Sequence, residues 1–250
     1  MIPLRHRATH ATELLDAATL DSEALVRNLR DIRRINALLG WTTFTGSTVL
    51  RTARTAGLRT FSLIDIASGS ADIPLAIARR AERTGMAVRI LATDISPQIV
   101  AIAREQSKGV AAITVESHDA LALPFAPGSF DIALCTLALH HFTPEMAVAV
   151  LRSMASVGRC VLVFDVVRDP LAYAGVVALT HLLGMNYMTR HDGPVSVRRA
   201  YSAAEVRDLA REAGLRDAWV RVDFPYRLVL TASGDLPAPE KESMSHDARS

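Results

Sequence analysis

Two aspartates bracket a turn of small residues in the stretch F-S-L-I-D-I-A-S-G-S-A-D, residues 61–72. Asp65 lies in an apolar run that predicts a buried strand, and Asp72 lies where an apolar helical pattern over 73–81 begins. The turn itself, residues 67–71, contains only alanine, serine and glycine. Small residues let a ligand approach the backbone, and the first turn of a helix offers free N–H donors. This pattern predicts a ligand site at the carboxyl end of a strand.

The charge of the turn indicates which kind of ligand it takes. A dinucleotide-binding fingerprint, G-x-G-x-x-G, would need three glycines where the chain has Ala67, Gly69 and Asp72. A pyrophosphate at the helix start would also meet the like charge of Asp72. The sequence therefore disfavours an NAD-dependent dehydrogenase and favours a cationic ligand.

A further carboxylate, Asp94, follows the second predicted strand, residues 88–92. An acidic residue at this position binds ribose hydroxyls in nucleotide-binding α/β folds, because a carboxylate accepts hydrogen bonds from a vicinal diol. The alternative is that Asp94 caps the next helix. Ser96 and Pro97 already supply a capping residue and a proline suited to the first helical position, so ligand binding is favoured.

Residues suited to proton transfer follow the later strands. His140 and His141 come shortly after the fourth predicted strand, residues 132–136, and Asp165 follows the fifth. Neutral imidazole titrates near working pH, so one of these histidines is a candidate general base. Asp165 could orient that histidine or accept a substrate proton. The alternatives are capping or supporting histidines and a solvated aspartate at a strand end.

His191 is another candidate base. It lies in residues 185–199, M-N-Y-M-T-R-H-D-G-P-V-S-V-R-R, which interrupt the periodic pattern. The sequence H-D-G-P predicts a turn in a loop between two apolar helices. An ordinary surface turn is the alternative interpretation.

These motifs resemble those of the class I S-adenosylmethionine-dependent methyltransferases. D-I-A-S-G-S-A-D is similar to their first motif, an acidic residue followed by alternating glycines, with Ala67 and Ala71 where glycines are usual. The segment L-H-H, 139–141, resembles that of small-molecule methyltransferases related to the ubiquinone and menaquinone enzymes. P-F-A-P-G-S-F-D, 124–131, resembles the turn before their fourth strand. Because alanine is still small, we expect a tighter turn and a retained site.

The resemblance implies S-adenosylmethionine as the cofactor, whose sulfonium and ammonium suit the acidic turn. It also implies that Asp119, after the third predicted strand, binds the adenine amino group; an Asx turn is the alternative. Thr136 could offer backbone groups to the methionine end. The cofactor-binding positions implied in this way are Asp65, Ala67, Ser68, Gly69, Asp72, Asp94, Ile95, Asp119, Ala120 and Thr136.

The order of elements predicts a doubly wound α/β fold, a Rossmann-like seven-stranded sheet with a terminal antiparallel hairpin. Residues 1–57 are interpreted as an N-terminal helical extension or lid, 58–232 as the methyltransferase domain and 233–250 as a polar, disordered tail. Within the domain, residues 171–183 predict a strongly apolar helix, which is either buried or one wall of an apolar pocket.

Composition excludes several classes of protein. The chain has 250 residues and a net charge of +2, which gives no basis for a nucleic-acid or membrane partner. Its two cysteines lie in strand-like runs, so neither a disulfide framework nor a metal site is predicted. The N-terminus lacks the apolar segment of a signal peptide, so we expect a cytoplasmic protein. A homodimer is one assembly it could form.

These observations together predict methyl transfer from S-adenosylmethionine to a small apolar, aromatic or polyketide-like molecule. Oxygen is the favoured acceptor atom, and carbon or nitrogen is the alternative. A nucleic-acid methyltransferase is disfavoured because residues 136–139, T-L-A-L, lack the aromatic-and-proline tetrapeptide expected after the fourth strand. A non-catalytic protein that binds S-adenosylmethionine is the remaining alternative.

Overall fold

A computed structural model describes residues 4–17, 21–215 and 217–234. In these residues seven strands form one sheet: β1 Thr60–Ile66, β2 Ala87–Asp94, β3 Ile113–Ser117, β4 Phe130–Thr136, β5 Gly158–Val166, β6 Trp219–Asp223 and β7 Arg227–Ser233. Their order in the sheet is β3-β2-β1-β4-β5-β7-β6. The helices are α1 Ser22–Leu38, α2 Trp41–Thr55, α3 Asp72–Arg83, α4 Pro97–Gln106, α5 Pro144–Val157, α6 Pro170–Leu182, α7 Tyr187–Arg199 and α8 Ala203–Glu212, with 3₁₀ turns at Leu14–Asp16 and Leu139–His141.

The first five strands run parallel, and β7 pairs antiparallel with β5 and with β6. The central strand β1 is buried on both faces, as parallel strands between two helical layers are. Leu63 packs in the core that includes α2 and α3, and Ile64 packs in the core that includes α5 and α8. The predicted doubly wound fold with its terminal hairpin is confirmed, and the carboxyl ends of the parallel strands meet at one edge of the sheet.

Side chains cap several helices by satisfying their first backbone N–H groups. Ser96 accepts a hydrogen bond from Ile99 N–H, and Thr143 accepts one from Met146 N–H. Ser202 and Glu205 form a complete capping box at the start of α8. These caps fix where the loops at the carboxyl edge of the sheet end.

The loop predicted over residues 185–199 is wrong, because this segment forms helix α7 with Pro194 inside it. Proline removes one helical hydrogen bond, but packing of an apolar face supplies most helical stability in proteins. Gly193 allows α7 to approach α6 closely: a Cβ atom there would lie 3.0 Å from Val176 Cγ2. Tertiary packing therefore overrides the glycine and proline signals.

Helix α6 is not buried, so the first of the two alternatives given for it is wrong. Thr180 is its one buried residue, and Leu171 and Leu182 are 68% and 84% exposed. One side of α6 lines a large cavity, described below, which agrees with the second alternative, a wall. Among the described residues, no helix is both long and apolar enough to cross a bilayer. Residues 235–250, most of the predicted tail, lie outside the described residues.

Substitutions at two glycines test the packing of α6 against α7. Gly193→Val should lower the free energy of unfolding by about 1–3 kcal/mol, because the added atoms overpack the contact with Val176. Gly175→Ala is the control: it lies inside α6 with no atom near the added methyl, and alanine should stabilise the helix by about 1 kcal/mol. Urea unfolding followed by circular dichroism measures both. A Gly193→Val variant as stable as the wild type would contradict the packing described here.

Candidate active site

The carboxyl edge of the sheet opens into a cavity of about 950 Å³. Its floor is formed by the turns that follow β1, β2 and β4, and its other walls come from α1, α6, α7 and the 3₁₀ turn Leu14–Asp16. All ten predicted cofactor-binding residues line this cavity, as do His140 and His141. The cavity therefore brings together residues that the sequence assigned to separate loops.

The turn after β1 has the backbone shape of a glycine-rich turn. Ala67, Gly69 and Ala71 have φ angles of 54°, 55° and 61°, all in the left-handed region. This conformation costs roughly 1–2 kcal/mol for a residue with a side chain. The two alanines thus adopt the conformation of the glycines they stand for, and the turn stays open to the cavity at Gly69, where no atom lies within 4 Å of an added Cβ.

Three carboxylates make this end of the cavity strongly acidic. Asp65 is 1% exposed, and its burial, reinforced by the charges of Asp72 and Asp94, raises its pKa well above the usual value. Burial also raises the pKa of Asp72, which accepts a hydrogen bond of 2.9 Å from Asn36 Nδ2 of helix α1. Because no cationic side chain pairs with Asp65 among the described residues, a cationic ligand would be stabilised here.

Asp94 connects the end of β2 to the turn. Its Oδ2 accepts a hydrogen bond from Gly69 N–H at 3.1 Å, and its Oδ1 accepts one from Ser96 N–H at 3.0 Å. Helix α4 is capped by Ser96, so Asp94 is not its capping residue. Each carboxylate oxygen keeps further acceptor capacity that a ribose diol could use. Burial raises the pKa of Asp94.

Asp119 forms the Asx turn considered for it and also lies in the cavity wall. It lines the cavity, and its Oδ1 accepts a hydrogen bond of 2.9 Å from Leu121 N–H, which forms the predicted alternative, an Asx turn. One carboxylate oxygen is thereby held in place, and the geometry leaves the other available to a ligand.

Buried polar atoms provide a test of whether S-adenosylmethionine fits. Asp65 Oδ1, Ser68 Oγ and Thr136 Oγ1 are buried and have no hydrogen-bond partner among the described residues, although all three residues line the cavity. Leaving such atoms unpaired costs about 1–3 kcal/mol each. A cofactor with an ammonium, a sulfonium and hydroxyl groups would satisfy them, so the residues fit this group.

His140 is held by Asp165. It is 3% exposed, its Nδ1 lies 2.8 Å from Asp165 Oδ1, and its backbone N–H donates to Asp165 Oδ2 at 2.9 Å. Asp165 does not line the cavity, so of the two roles predicted for it these contacts favour orienting His140. The carboxylate partner makes Nδ1 the protonated nitrogen and leaves Nε2 as an acceptor.

His141 has a different environment. Its Nδ1 lies 2.8 Å from Asp16 Oδ1. Burial disfavours the charged imidazole, but Glu13 and Asp16 outweigh it and raise the pKa of His141 to about 9. Burial likewise opposes ionisation of Asp16, but its hydrogen bonds with His141 and Arg199 lower its pKa to about 2. At neutral pH His141 carries a proton, so His140 is the better candidate base.

Three residues beside the histidines were not predicted from the sequence: Glu13, Asp16 and Arg199. The Glu13 side chain is 3% exposed, with its Oε1 3.7 Å from His140 Nε2 and its Oε2 3.8 Å from His141 Nε2. Arg199, at the end of α7, pairs with Asp16 and lies 3.8 Å from Glu13 Oε1. The only signal in the sequence was the pair of acidic residues in E-L-L-D, 13–16, in a segment without periodicity.

His191 is not brought together with the other histidines. Its side chain is 47% exposed and pairs with Asp192, and it is absent from the cavity wall. Asp192 does line the cavity and accepts hydrogen bonds from the backbone N–H groups of Leu14 and Leu15. The interactions of Asp192 therefore anchor the N-terminal segment that carries Glu13.

Comparison with known proteins places this arrangement in a family. Residues 63–159 match the family model described as a methyltransferase domain. A ubiquinone/menaquinone biosynthesis C-methyltransferase from Paraburkholderia phymatum is 34% identical over 119 residues, which cover 46% of this chain and 47% of that protein. A demethylmenaquinone methyltransferase from Deinococcus radiodurans is 31% identical over 81 residues, 32% of each chain. The matched segments thus span 32% to 47% of these curated relatives.

Solved structures share the fold over more of the chain. A methyltransferase from Aquifex aeolicus, described as dependent on S-adenosylmethionine, has a TM-score of 0.60 and 15% identity, covering 86% of this chain and 98% of that one. Human N-acetylserotonin methyltransferase in complex with S-adenosylmethionine has a TM-score of 0.61 and 16% identity, covering 85% of this chain and 56% of that one. Residues 63–159 match a methyltransferase domain, and this match, the fold and the motifs together support a class I S-adenosylmethionine-dependent methyltransferase. The predicted family and its cofactor are confirmed at this level.

Replacing Ala67 tests the strained turn. Ala67→Gly should raise the free energy of unfolding by about 0.5–1 kcal/mol, because glycine adopts a positive φ freely but loses more entropy on folding. Ala76→Gly inside α3 is the matched control and should lower it by about 1 kcal/mol. Chemical unfolding measures both changes. A loss of stability in both variants would show that Ala67 is not strained.

Proposed function

We propose that this protein transfers a methyl group from S-adenosylmethionine to a small apolar molecule, with an aromatic hydroxyl oxygen as the preferred acceptor. The observation that carries the proposal is that the acidic turn and the pair His140–Asp165 adjoin one cavity whose remaining wall is mostly apolar. The turn suits the donor, the histidine suits an acceptor that must lose a proton, and the wall suits an apolar skeleton.

The cofactor would lie along the carboxyl ends of β1, β2 and β4. In this arrangement Asp94 would hold the ribose hydroxyls, Asp119 would accept from the adenine amino group, and the unpaired oxygens of Asp65, Ser68 and Thr136 would meet the methionine end. When bound, S-adenosylmethionine supplies a methyl group on a sulfonium, which the lone pair of an acceptor displaces from sulfur.

The acceptor would lie against helices α1 and α6. Leu29 and Ile32 of α1 line the cavity, as do Leu171, Val176 and Leu179 of α6. Burying an aromatic or polyketide-like skeleton against these side chains gains roughly 25 cal/mol per Å² of apolar surface. The curated relatives are named for quinone biosynthesis, and one is named a C-methyltransferase, which makes a ring carbon the second candidate acceptor.

Catalysis would depend on positioning and on proton removal. Because the donor is already activated, orienting the two reactants accounts for most of the rate enhancement. His140 would accept the proton of the hydroxyl at Nε2, while Asp165 stabilises the imidazolium that forms. The walls of the cavity would exclude water and prevent hydrolysis of the donor.

A screen of acceptors tests the function. The full chain is incubated with methyl-labelled S-adenosylmethionine and a panel of phenols, quinols and amines, and the products are identified by mass spectrometry. Methylation of phenols or quinols is expected. Methylation of amines alone would overturn the choice of acceptor, and binding of the donor without any transfer would favour a non-catalytic role.

Variants at His140 and Asp165 test the proton acceptor. His140→Ala should lower kcat by about 10²–10⁴-fold with little change in affinity for the donor, because general base catalysis contributes about this much. Asp165→Asn should lower kcat in the same direction and change its pH profile, because the amide cannot stabilise the imidazolium. His181→Ala, which removes an exposed histidine outside the cavity, is the control. Full activity in His140→Ala would contradict the assignment.

A further inference from the structure

Three side chains at the wall of the cavity converge in a pattern that the methyltransferase motifs do not explain. Glu13, His140 and His141 each offer one ligand atom, and these atoms all lie within 4.8 Å of one another. We propose that they bind a divalent first-row transition metal ion. The sequence predicted no metal site, because Glu13 lies far from the two histidines in the chain.

The distances suit a single ion. Glu13 Oε1 lies 3.7 Å from His140 Nε2, and Glu13 Oε2 lies 3.8 Å from His141 Nε2. An ion about 2.1 Å from each donor can join two donors up to about 4.2 Å apart. Small rotations of the side chains would bring the third donor into range.

Both imidazoles are oriented as metal ligands usually are. Nδ1 of His140 lies 2.8 Å from Asp165, and Nδ1 of His141 lies 2.8 Å from Asp16. Histidines that bind metals almost always donate their other ring N–H to a carboxylate or carbonyl, which fixes the tautomer and the direction of the ring. Here two separate carboxylates leave Nε2 of each ring directed toward Glu13.

Glu13 gives an independent indication that a cation is bound. Its Oε1 is buried and has no hydrogen-bond partner among the described residues. A buried carboxylate without compensation is costly, so it pairs with a cation or coordinates a metal. Arg199 and the protonated His141 each lie 3.8 Å from one of its oxygens, beyond hydrogen-bond distance, and both are engaged with Asp16. The backbone beside Glu13 is fixed by the hydrogen bonds from Leu14 and Leu15 to Asp192.

The charges and donor types indicate the class of metal. Glu13, Asp16 and Asp165 supply three carboxylates and Arg199 supplies one guanidinium. A metal ion would displace the proton of His141, and with both imidazoles neutral the cluster then has a charge of −2 that a divalent ion balances. Two imidazole nitrogens and one carboxylate suit zinc, iron, cobalt or nickel, whereas magnesium and calcium prefer oxygen ligands. Since all three ligand residues line the cavity, a further coordination position would face it.

The use of this ion in catalysis rests on the proposed function, whereas its binding does not. An acceptor hydroxyl at the open position would lose its proton to water more readily, because a bound cation lowers the pKa of that hydroxyl. The oxygen lone pair then forms the new bond to the methyl carbon, and the electron pair of the broken bond remains on sulfur. In the metal-bound protein His140 is a ligand and the ion replaces it in promoting loss of the proton.

Metal titration of the full chain tests the proposal. The purified protein is treated with a chelator, dialysed and titrated with zinc chloride in a calorimeter, and in parallel with cobalt chloride followed by visible absorption. One equivalent of either ion should bind, and excess magnesium should not compete. Glu13→Gln should weaken zinc binding by at least about 100-fold, and Asp165→Asn should weaken it by about 10–100-fold. His181→Ala, which removes an exposed histidine, should bind zinc as the wild type does.

Two results would overturn the proposal: a wild-type protein that binds neither zinc nor cobalt, or a Glu13→Gln variant that binds zinc with wild-type affinity. Circular dichroism and binding of S-adenosylmethionine show whether each variant is folded; if Glu13→Gln is not, His141→Asn takes its place with the same expected loss. Because these titrations contain no acceptor, metal binding without methyl transfer would contradict the proposed function alone. Methyl transfer that a chelator leaves unchanged, in a protein that binds no metal, would contradict the metal site alone.

Discussion

The structure depends on a buried carboxyl group, that of Asp65, at the carboxyl edge of the sheet. Asp65 lies in the central strand, is almost fully buried and has one carboxylate oxygen without a partner among the described residues. Asp72 and Asp94 add charge of the same sign beside it and raise its pKa further. A buried carboxyl group without a partner is costly when no ligand is bound. This cost indicates a ligand that interacts with Asp65.

Two sets of contacts hold the acidic turn around Asp65 in place. Positive φ angles at Ala67 and Ala71 keep the turn compact, so that Asp94 can accept a hydrogen bond from Gly69 across it. On the opposite side, α1 reaches the turn through the hydrogen bond from Asn36 to Asp72. The N-terminal segment, which the sequence suggested could be a lid, thus contacts the acidic turn and also supplies Glu13 to the histidine cluster.

Much of the fold and part of the site follow from local sequence. Strand ends and helix caps are encoded within a few residues, so Asp94, Asp119 and Asp165 could be assigned to the carboxyl edge of one sheet before their contacts were known. Parallel topology then brings those ends together. The predicted partnership of Asp165 with a histidine also follows, because adjacent strands β4 and β5 end beside each other.

Contacts between distant segments were not predictable in the same way. Helix α7 forms across G-P because Gly193 packs against α6, and single-sequence patterns do not contain that contact. Glu13 lies in a segment with no periodic pattern or motif. Its position beside the histidines depends on the hydrogen bond from Leu14 N–H to Asp192, which no local pattern predicts. The position of His191 also depends on packing between distant segments. Helix α7 packs with Asp192 facing the cavity, which leaves the His191 side chain half exposed and outside the cavity wall.

Calorimetric titration of the full chain with S-adenosylmethionine and with S-adenosylhomocysteine tests the central claim most directly. Binding in the micromolar range that Asp94→Ala abolishes, and that Asp208→Ala on the exposed face of α8 leaves unchanged, is the result expected from the geometry of the acidic turn. If the wild type binds neither ligand, or if Asp94→Ala binds as tightly as the wild type, the cavity at the carboxyl edge of the sheet is not the cofactor site.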